Sequence, residues 1–240
     1  MKKIWIITKR ELQAYFDSLM AYILLILFLG FSGFFTWIYG SDIFFIKQAS
    51  LEVFFNIAYW TLFFFIPSLT MRLLSEENSS GTIELLLTKP VSNWQVITGK
   101  FMAALILIII ALALTLPYYI TVANIGNIDN GQVFSGYLAL ILFSAMYISI
   151  GLFTSSVTNN QIVSYLLTLS IGIFFQVIFL MLSSNFPGLL GRTLSYLAVN
   201  THFESMIRGV VDSRDLIYFF IFIFLGLVLS ETMLIKKRYA

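Results

Sequence analysis

The run Phe101–Ala123, FMAALILIIIALALTLPYYITVA, decides the fold class. It carries no charged residue, and as a helix it reaches about 34 Å, enough for the roughly 30 Å hydrocarbon core of a bilayer. Five more runs of this kind flank it, at 19–39, 53–74, 134–155, 161–183 and 216–235. Their only interior charges are Arg72 and Glu231, each close enough to a helix end for the side chain to reach the interface. Composition points the same way: 59% of residues are hydrophobic, 17% aromatic and 11% charged, where a soluble domain carries about 25% charged residues. Lipid accepts only helices or closed barrels, and these uniform runs lack the alternation of barrel strands. The expected class is an all-α polytopic membrane protein, a single transmembrane domain over 1–240 with six transmembrane helices.

Cations sort by side. Lys2, Lys3, Lys9, Arg10, Arg72, Lys89, Lys100, Lys236, Lys237 and Arg238 fall on one side of such an arrangement, and Lys47, Arg192, Arg208 and Arg214 on the other. This bias predicts both termini in the cytoplasm, in the cell inner membrane. Residues 1–18 lack a small-residue cleavage site, and the first apolar run exceeds that of a signal peptide, so it is expected to be retained. A net charge of +2 gives no reason to expect a nucleic-acid partner. Zero Cys excludes disulfides and thiol chemistry, and a single histidine, His202, argues against a His-rich metal or haem centre. No cofactor and no metal site are expected in this chain.

Ahead of the first run, Trp5, Thr8, Leu12, Tyr15, Phe16 and Leu19 share one helical arc and Lys3, Lys9, Arg10, Gln13 and Asp17 the opposite one. That pattern predicts a helix over 1–18 lying in the membrane interface, its cations toward anionic lipid headgroups. It reads either as an orientation anchor or as a lever that moves with a partner.

The segment 75–100, SEENSSGTIELLLTKPVSNWQVITGK, divides into a polar turn, a short helix over Thr82–Thr88, a Lys89-Pro90 break and a new helix. Ser92 and Gln95 have the spacing of a capping box, so that helix should begin near Asn93 and run into span three. Leu85, Leu86 and Leu87 beside Glu84 cannot all be buried by so short a helix. They require another surface, either the membrane or a groove on a cytoplasmic partner.

The run Arg72–Lys100, with Glu76-Glu77, Gly81-Thr82, Glu84-Leu-Leu-Leu-Thr and Pro90, resembles the loop of type 2 ABC exporter permeases, the ABC-2 family, that docks on the ATPase. Arg72-Leu-Leu-Ser-Glu-Glu, Gly151-Leu-Phe-Thr-Ser-Ser, Asn160-Gln-Ile-Val and the stretch from His202 to Asp215 look like the gliding-motility-associated permease subunits of that family. The resemblance implies a homodimer or heterodimer of six-helix permeases, each clasping a cytoplasmic ABC ATPase that holds ATP and Mg, with an extracytoplasmic auxiliary subunit as a further partner. It implies that Glu76, Glu77, Gly81, Thr82, Glu84, Leu85, Leu86, Leu87 and Pro90 form a cytoplasmic coupling helix and its flanks. The residues agree that the motor is elsewhere. A phosphate-binding loop needs G-x-x-x-x-G-K-[ST], whereas the pair Gly99-Lys100 is followed by Phe101 and has Trp94 in place of the first glycine.

On span five Asn160, Ser164, Thr168, Gly172 and Gln176 recur every four residues, a polar and small stripe on one face. Helix packing and the lining of a conduit are both compatible with it. Thr61, Ser68 and Arg72 on span two offer a fainter counterpart, with Pro67 expected to kink the helix. The resemblance implies that spans two and five face the dimer axis, making these residues pathway or dimer interface.

Between spans five and six, 187–200 is apolar but too short to cross and is expected to dip into the outer leaflet. Thr201 with Glu204 has capping-box spacing, which predicts a helix start that puts His202 in its first turn. No serine or carboxylate stands at a useful spacing from His202, so it reads as structural. Related exporters carry re-entrant outer helices here, which implies an outer gate that includes Leu189, Arg192, His202 and Arg208.

The function expected is a permease that converts ATPase movement into export or outward gating, in gliding motility or secretion. A pore-free mechanical coupler is the alternative. An intramembrane enzyme is disfavoured, because neither a Gly-x-Ser-Gly nucleophile turn nor H-E-x-x-H occurs.

Overall fold

The computed structural model describes residues 2–38, 50–82 and 91–239, and every regular element among them is helical. Among the described residues six helices are long and apolar enough to cross a membrane: Met20–Trp37, Glu52–Ser79, Asn93–Ile125, Asn130–Val157, Gln161–Asn185 and Ser213–Lys237, here spans one to six. Each falls on one of the six apolar runs. Because successive spans alternate in direction, the N-terminal helix, the end of span six and residues 71–82 share one end of the bundle and residues 186–212 occupy the other.

Span four is the axis. Burial covers 83% of its apolar window, against 28% for spans one and six and 17% for span five, so the last three present most of their surface outward. Close approach of span two to span four depends on Gly151, where an added Cβ would lie 2.1 Å from the Thr70 hydroxyl oxygen. Farther along the same interface Phe63 stacks on Tyr147 with ring centroids 5.3 Å apart, and Phe143 and Tyr59 meet at 4.5 Å.

Three spans depart from continuous helix. Span two runs over Glu52–Thr70, turns through 71–74 and resumes as Ser75–Ser79, so the break comes one turn beyond Pro67 rather than at it. Span three divides into Asn93–Ala113 and Leu116–Ile125. Pro117 has no amide to give the Ala113 carbonyl, and at the joint the Thr115 hydroxyl donates to Leu112 O at 2.6 Å and bonds the Tyr137 hydroxyl at 3.0 Å. Span five carries a π-turn, Phe174–Ile178, between Gln161–Ile173 and Phe179–Asn185.

The capping box at Ser92 forms as expected: Gln95 N–H donates to Ser92 Oγ and Ser92 N–H to Gln95 Oε1, both at 3.3 Å. Span three therefore starts ahead of Phe101, and Lys100 lies inside the helix, buried, instead of before it.

The N-terminal helix, Lys2–Asp17, forms where the amphipathic pattern put it. Its apolar arc is divided, however. Trp5 is 62% exposed while Thr8 and Tyr15 are buried in the protein. The helix packs on the start of span three, where Gly99 lets Ile7 approach to a place an added Cβ would contest at 2.7 Å. The Thr8 hydroxyl donates to Gly99 O at 3.1 Å. Leu19, left-handed at φ 60°, makes the joint to span one, a conformation that costs a residue with a side chain roughly 1 kcal/mol.

At the far end, Leu189–Leu197 and Val199–Ile207 form a helical hairpin whose arms are each too short to span. The second arm begins at Val199, not at Thr201. Buried Ala198 takes the extended N-cap conformation, without a side-chain cap, and Glu204 instead accepts from Asn200 Nδ2 at 2.6 Å. The expected capping box does not form because the chain has already turned into the helix before Thr201.

Candidate functional site

The densest polar construction joins the N-terminal helix, the break in span two and the start of span three. Lys100 Nζ lies 2.9 Å from Glu77 Oε1 and 3.3 Å from Glu11 Oε1, with 2% of its side chain exposed. Arg10 pairs with the same Glu11 oxygen and sits 3.7 Å from Glu77 Oε1. Two cations thus balance two carboxylates, and residues far apart in sequence are held by one buried ammonium. Burial pushes the Glu11 carboxyl up, but Lys100 and Arg10 outweigh it and hold Glu11 below the usual carboxylate range. Burial likewise opposes the charge on Arg10, and the hydrogen bond and charge of Glu11, with the charge of Glu77, outweigh it and raise the guanidinium.

The break in span two is built from span four. Leu74 N–H and Ser75 N–H, which the turn leaves without helical acceptors, donate to Ser155 Oγ at 2.9 and 3.0 Å. The Ser155 hydroxyl donates on to Met71 O at 3.1 Å. Asn78 Nδ2 donates to Thr158 O at 3.2 Å. The Gly151-Leu-Phe-Thr-Ser motif divides its contacts residue by residue. Gly151 admits Thr70, Thr154 binds span five, and Ser155 receives the turn.

Glu76 and Glu77 stand in the short helix that follows the turn, and Arg72 reaches Glu76 at 3.3 Å. Arg72 belongs with these residues, in a cleft of about 400 Å³ that Glu11, Tyr15, Glu76, Glu77 and Lys100 also line. Gly81 adopts φ +70° at the exit of the helix, and Thr82 is exposed beside Ser80, the two hydroxyls 2.8 Å apart. Glu84, Leu85, Leu86, Leu87 and Pro90 lie outside the described residues.

The stripe on span five faces this chain's own spans four and two. Thr168 Oγ1 meets Thr154 Oγ1 at 2.6 Å, and Ser164 Oγ lies 3.4 Å from the same atom. The Tyr147 hydroxyl donates to Thr168 O at 3.2 Å, and Gly172 faces Tyr147 and Phe63. Asn160, exposed at the helix start, accepts from Ile162 N–H at 2.9 Å. Gln176 lies in the π-turn, 3% exposed, its amide atoms without a hydrogen-bond partner among the described residues. Thr61 does not meet the stripe. It is two residues from Phe63 and so on the other side of the helix, in an outward groove with Phe31, Phe35 and Trp60. Ser68 is half-buried.

In the hairpin Leu189, Arg192 and Arg208 are exposed, whereas His202 is buried. The expectation that His202 has no carboxylate is corrected: its Nδ1 lies 2.6 Å from Asp215 Oδ1. The partner stands thirteen residues on, in the first turn of span six, and the turn 208–212 between the second arm and span six brings the two together.

Glu11, Lys100, Ser155 and Asp215 are site residues that the sequence did not single out. The capping box at Ser92 was the available signal for Lys100, since it puts Lys100 on an established helix.

Compared with known families, residues 5–235 match the model described as ABC-2 family transporter protein. No curated protein matches the chain.

Proposed function

Because the chain belongs to the ABC-2 family of transporter proteins, we propose that this membrane permease subunit is driven by a separate ATPase docked on segment 75–90, and that its output is export or outward gating across the inner membrane. The observation that carries the reading is the buried Lys100 bridge. A force applied to the segment after span two is passed by Glu77 to Lys100, and so at once to span three and, through Glu11, to the N-terminal helix. A solvated anchor would need no such bridge. In this reading the N-terminal helix is a lever, ATP and Mg belong to the partner subunit, and a second permease copy or homologue completes the assembly. The motifs from Arg72 and Gly151 favour the gliding-motility-associated branch, with an auxiliary subunit on the outer side.

The test is retention of the ATPase. Leu85→Asp or Leu86→Asp leaves every span unchanged and puts a charge where an apolar side chain is worth about 1.5 to 3 kcal/mol on full burial. Each variant is expected to insert normally and to lose a co-expressed ATPase during purification. Full co-purification with both variants overturns the docking assignment.

A further inference from the structure

We propose that His202 and Asp215 form a pH-operated latch that fastens the hairpin 189–207 to the first turn of span six, closed while the pair holds an extra proton and loosened when that proton leaves.

The evidence is the direction of the hydrogen bonds. His202 Nε2 lies 2.8 Å from the Tyr196 carbonyl oxygen. A carbonyl has no proton to give, so Nε2 must be the donor. On the other side of the ring Nδ1 faces Asp215 Oδ1 at 2.6 Å, and that contact requires one proton more, on the ring or on the carboxyl. Either way the pair binds one proton beyond a neutral imidazole beside a carboxylate. Loss of the proton leaves a lone pair on one ring nitrogen opposing an acceptor. Water has little room to repair the defect, since His202 is 3% and Asp215 6% exposed. Asp215 Oδ2 has no partner among the described residues, so the ring is the carboxylate's support there.

Several contacts make the pair mechanical. The ring stacks on Tyr218 of span six at 4.0 Å, and the Tyr218 hydroxyl donates to Leu197 O at 2.8 Å. His202 and Asp215 thereby join the second arm to span six, while Tyr196 O and Leu197 O hold the first arm to the same point. The titratable groups around the ring are Tyr196 from the first arm and Asp215 and Tyr218 from span six. Span two presents Tyr59 and span four Phe143 to the neighbouring Phe203 rather than to the ring. The π-turn of span five, which also packs on the second arm, carries no charged residue. Glu204 and Arg208 on the second arm, Arg192 on the first and Arg214 on span six are exposed, and Asp212 accepts from Arg214 N–H.

The experiment is hydrogen–deuterium exchange of the full chain in lipid nanodiscs at about pH 6 and about pH 8.5, corrected for intrinsic exchange. Protection over 189–207 is expected to fall about fivefold at the higher pH, the effect of losing one hydrogen bond of roughly 1 kcal/mol, while span four keeps its protection. His202→Gln and Asp215→Asn should both abolish the pH dependence. Unchanged hairpin protection in the parent chain overturns the latch, as does a pH-dependent loss that survives His202→Gln. If neither variant survives extraction, the parent chain still decides, because it contains one histidine: the ¹⁵N shifts of that ring must change over the same pH interval as the protection, and a mismatch overturns the proposal.

Discussion

At Lys100 a single side chain decides whether three elements stay together. Its side chain is 2% exposed, whereas those of its partners Glu11 and Glu77 keep 15% and 20% exposure. Removing one member of a buried pair leaves the other charges uncompensated, which costs about 3 to 5 kcal/mol, and the partial hydration of these carboxylates sets the lower end. Lys100→Met is therefore expected to destabilise the chain by roughly 3 kcal/mol, read as a lowered thermal midpoint, and Lys100→Arg by much less. If Lys100→Met melts like the parent, the ammonium is not the bridge described above. In the sequence Lys100 was one of ten cations on the side expected to be cytoplasmic, because burial of a lysine depends on carboxylates from distant segments that periodicity does not locate. His202 shows the same limit: the residue was legible, but its pairing with Asp215 depends on the turn 208–212 between the second arm and span six.

Local signals located elements whose neighbours then altered them. The capping box at Ser92 and the amphipathic pattern ahead of span one both gave helices where expected, since each rests on contacts within a turn or two. The break after Thr70 was not legible, because its unpaired amides are satisfied from span four. Ser155→Ala strands the amides of Leu74 and Ser75, each buried donor costing about 1 to 3 kcal/mol when unpaired. The variant should expose segment 71–82 to limited proteolysis without disturbing insertion, and equal resistance to protease would count against this role of Ser155. The stripe on span five was legible as a pattern, while its direction was not, since polar and small residues suit a helix interface and a conduit alike. The bundle turns it onto spans four and two. Gly172→Leu should consequently lower the thermal midpoint strongly, because the Tyr147 and Phe63 rings occupy the space and overpacking costs about 1 to 3 kcal/mol. Leu167→Phe, at a position 39% exposed, should have little effect. Equal shifts for the two variants would place the stripe outside the core.

For the whole molecule, charge and hydropathy carried most of the architecture. Six uninterrupted apolar runs leave the chain few ways to satisfy its backbone in lipid, so span number and helical class were legible. Span lengths were less so, because charged or polar residues at the ends, such as Lys100 and Asp215, continue helices beyond the apolar window. Alternation of six spans places Lys9 and Leu189 at opposite ends, and the excess of cations at the end bearing Lys9 predicts that this end is cytoplasmic. The Cys-free sequence makes the point testable with single substitutions. Leu189→Cys, at a position 79% exposed, should react with a membrane-impermeant maleimide in intact cells. Lys9→Cys, also at an exposed position, should react only after permeabilisation. Labelling of Lys9→Cys from outside intact cells would invert the orientation and with it the docking of any cytoplasmic ATPase on segment 75–90, because the described residues on both flanks of that segment lie at the end of the bundle that carries Lys9.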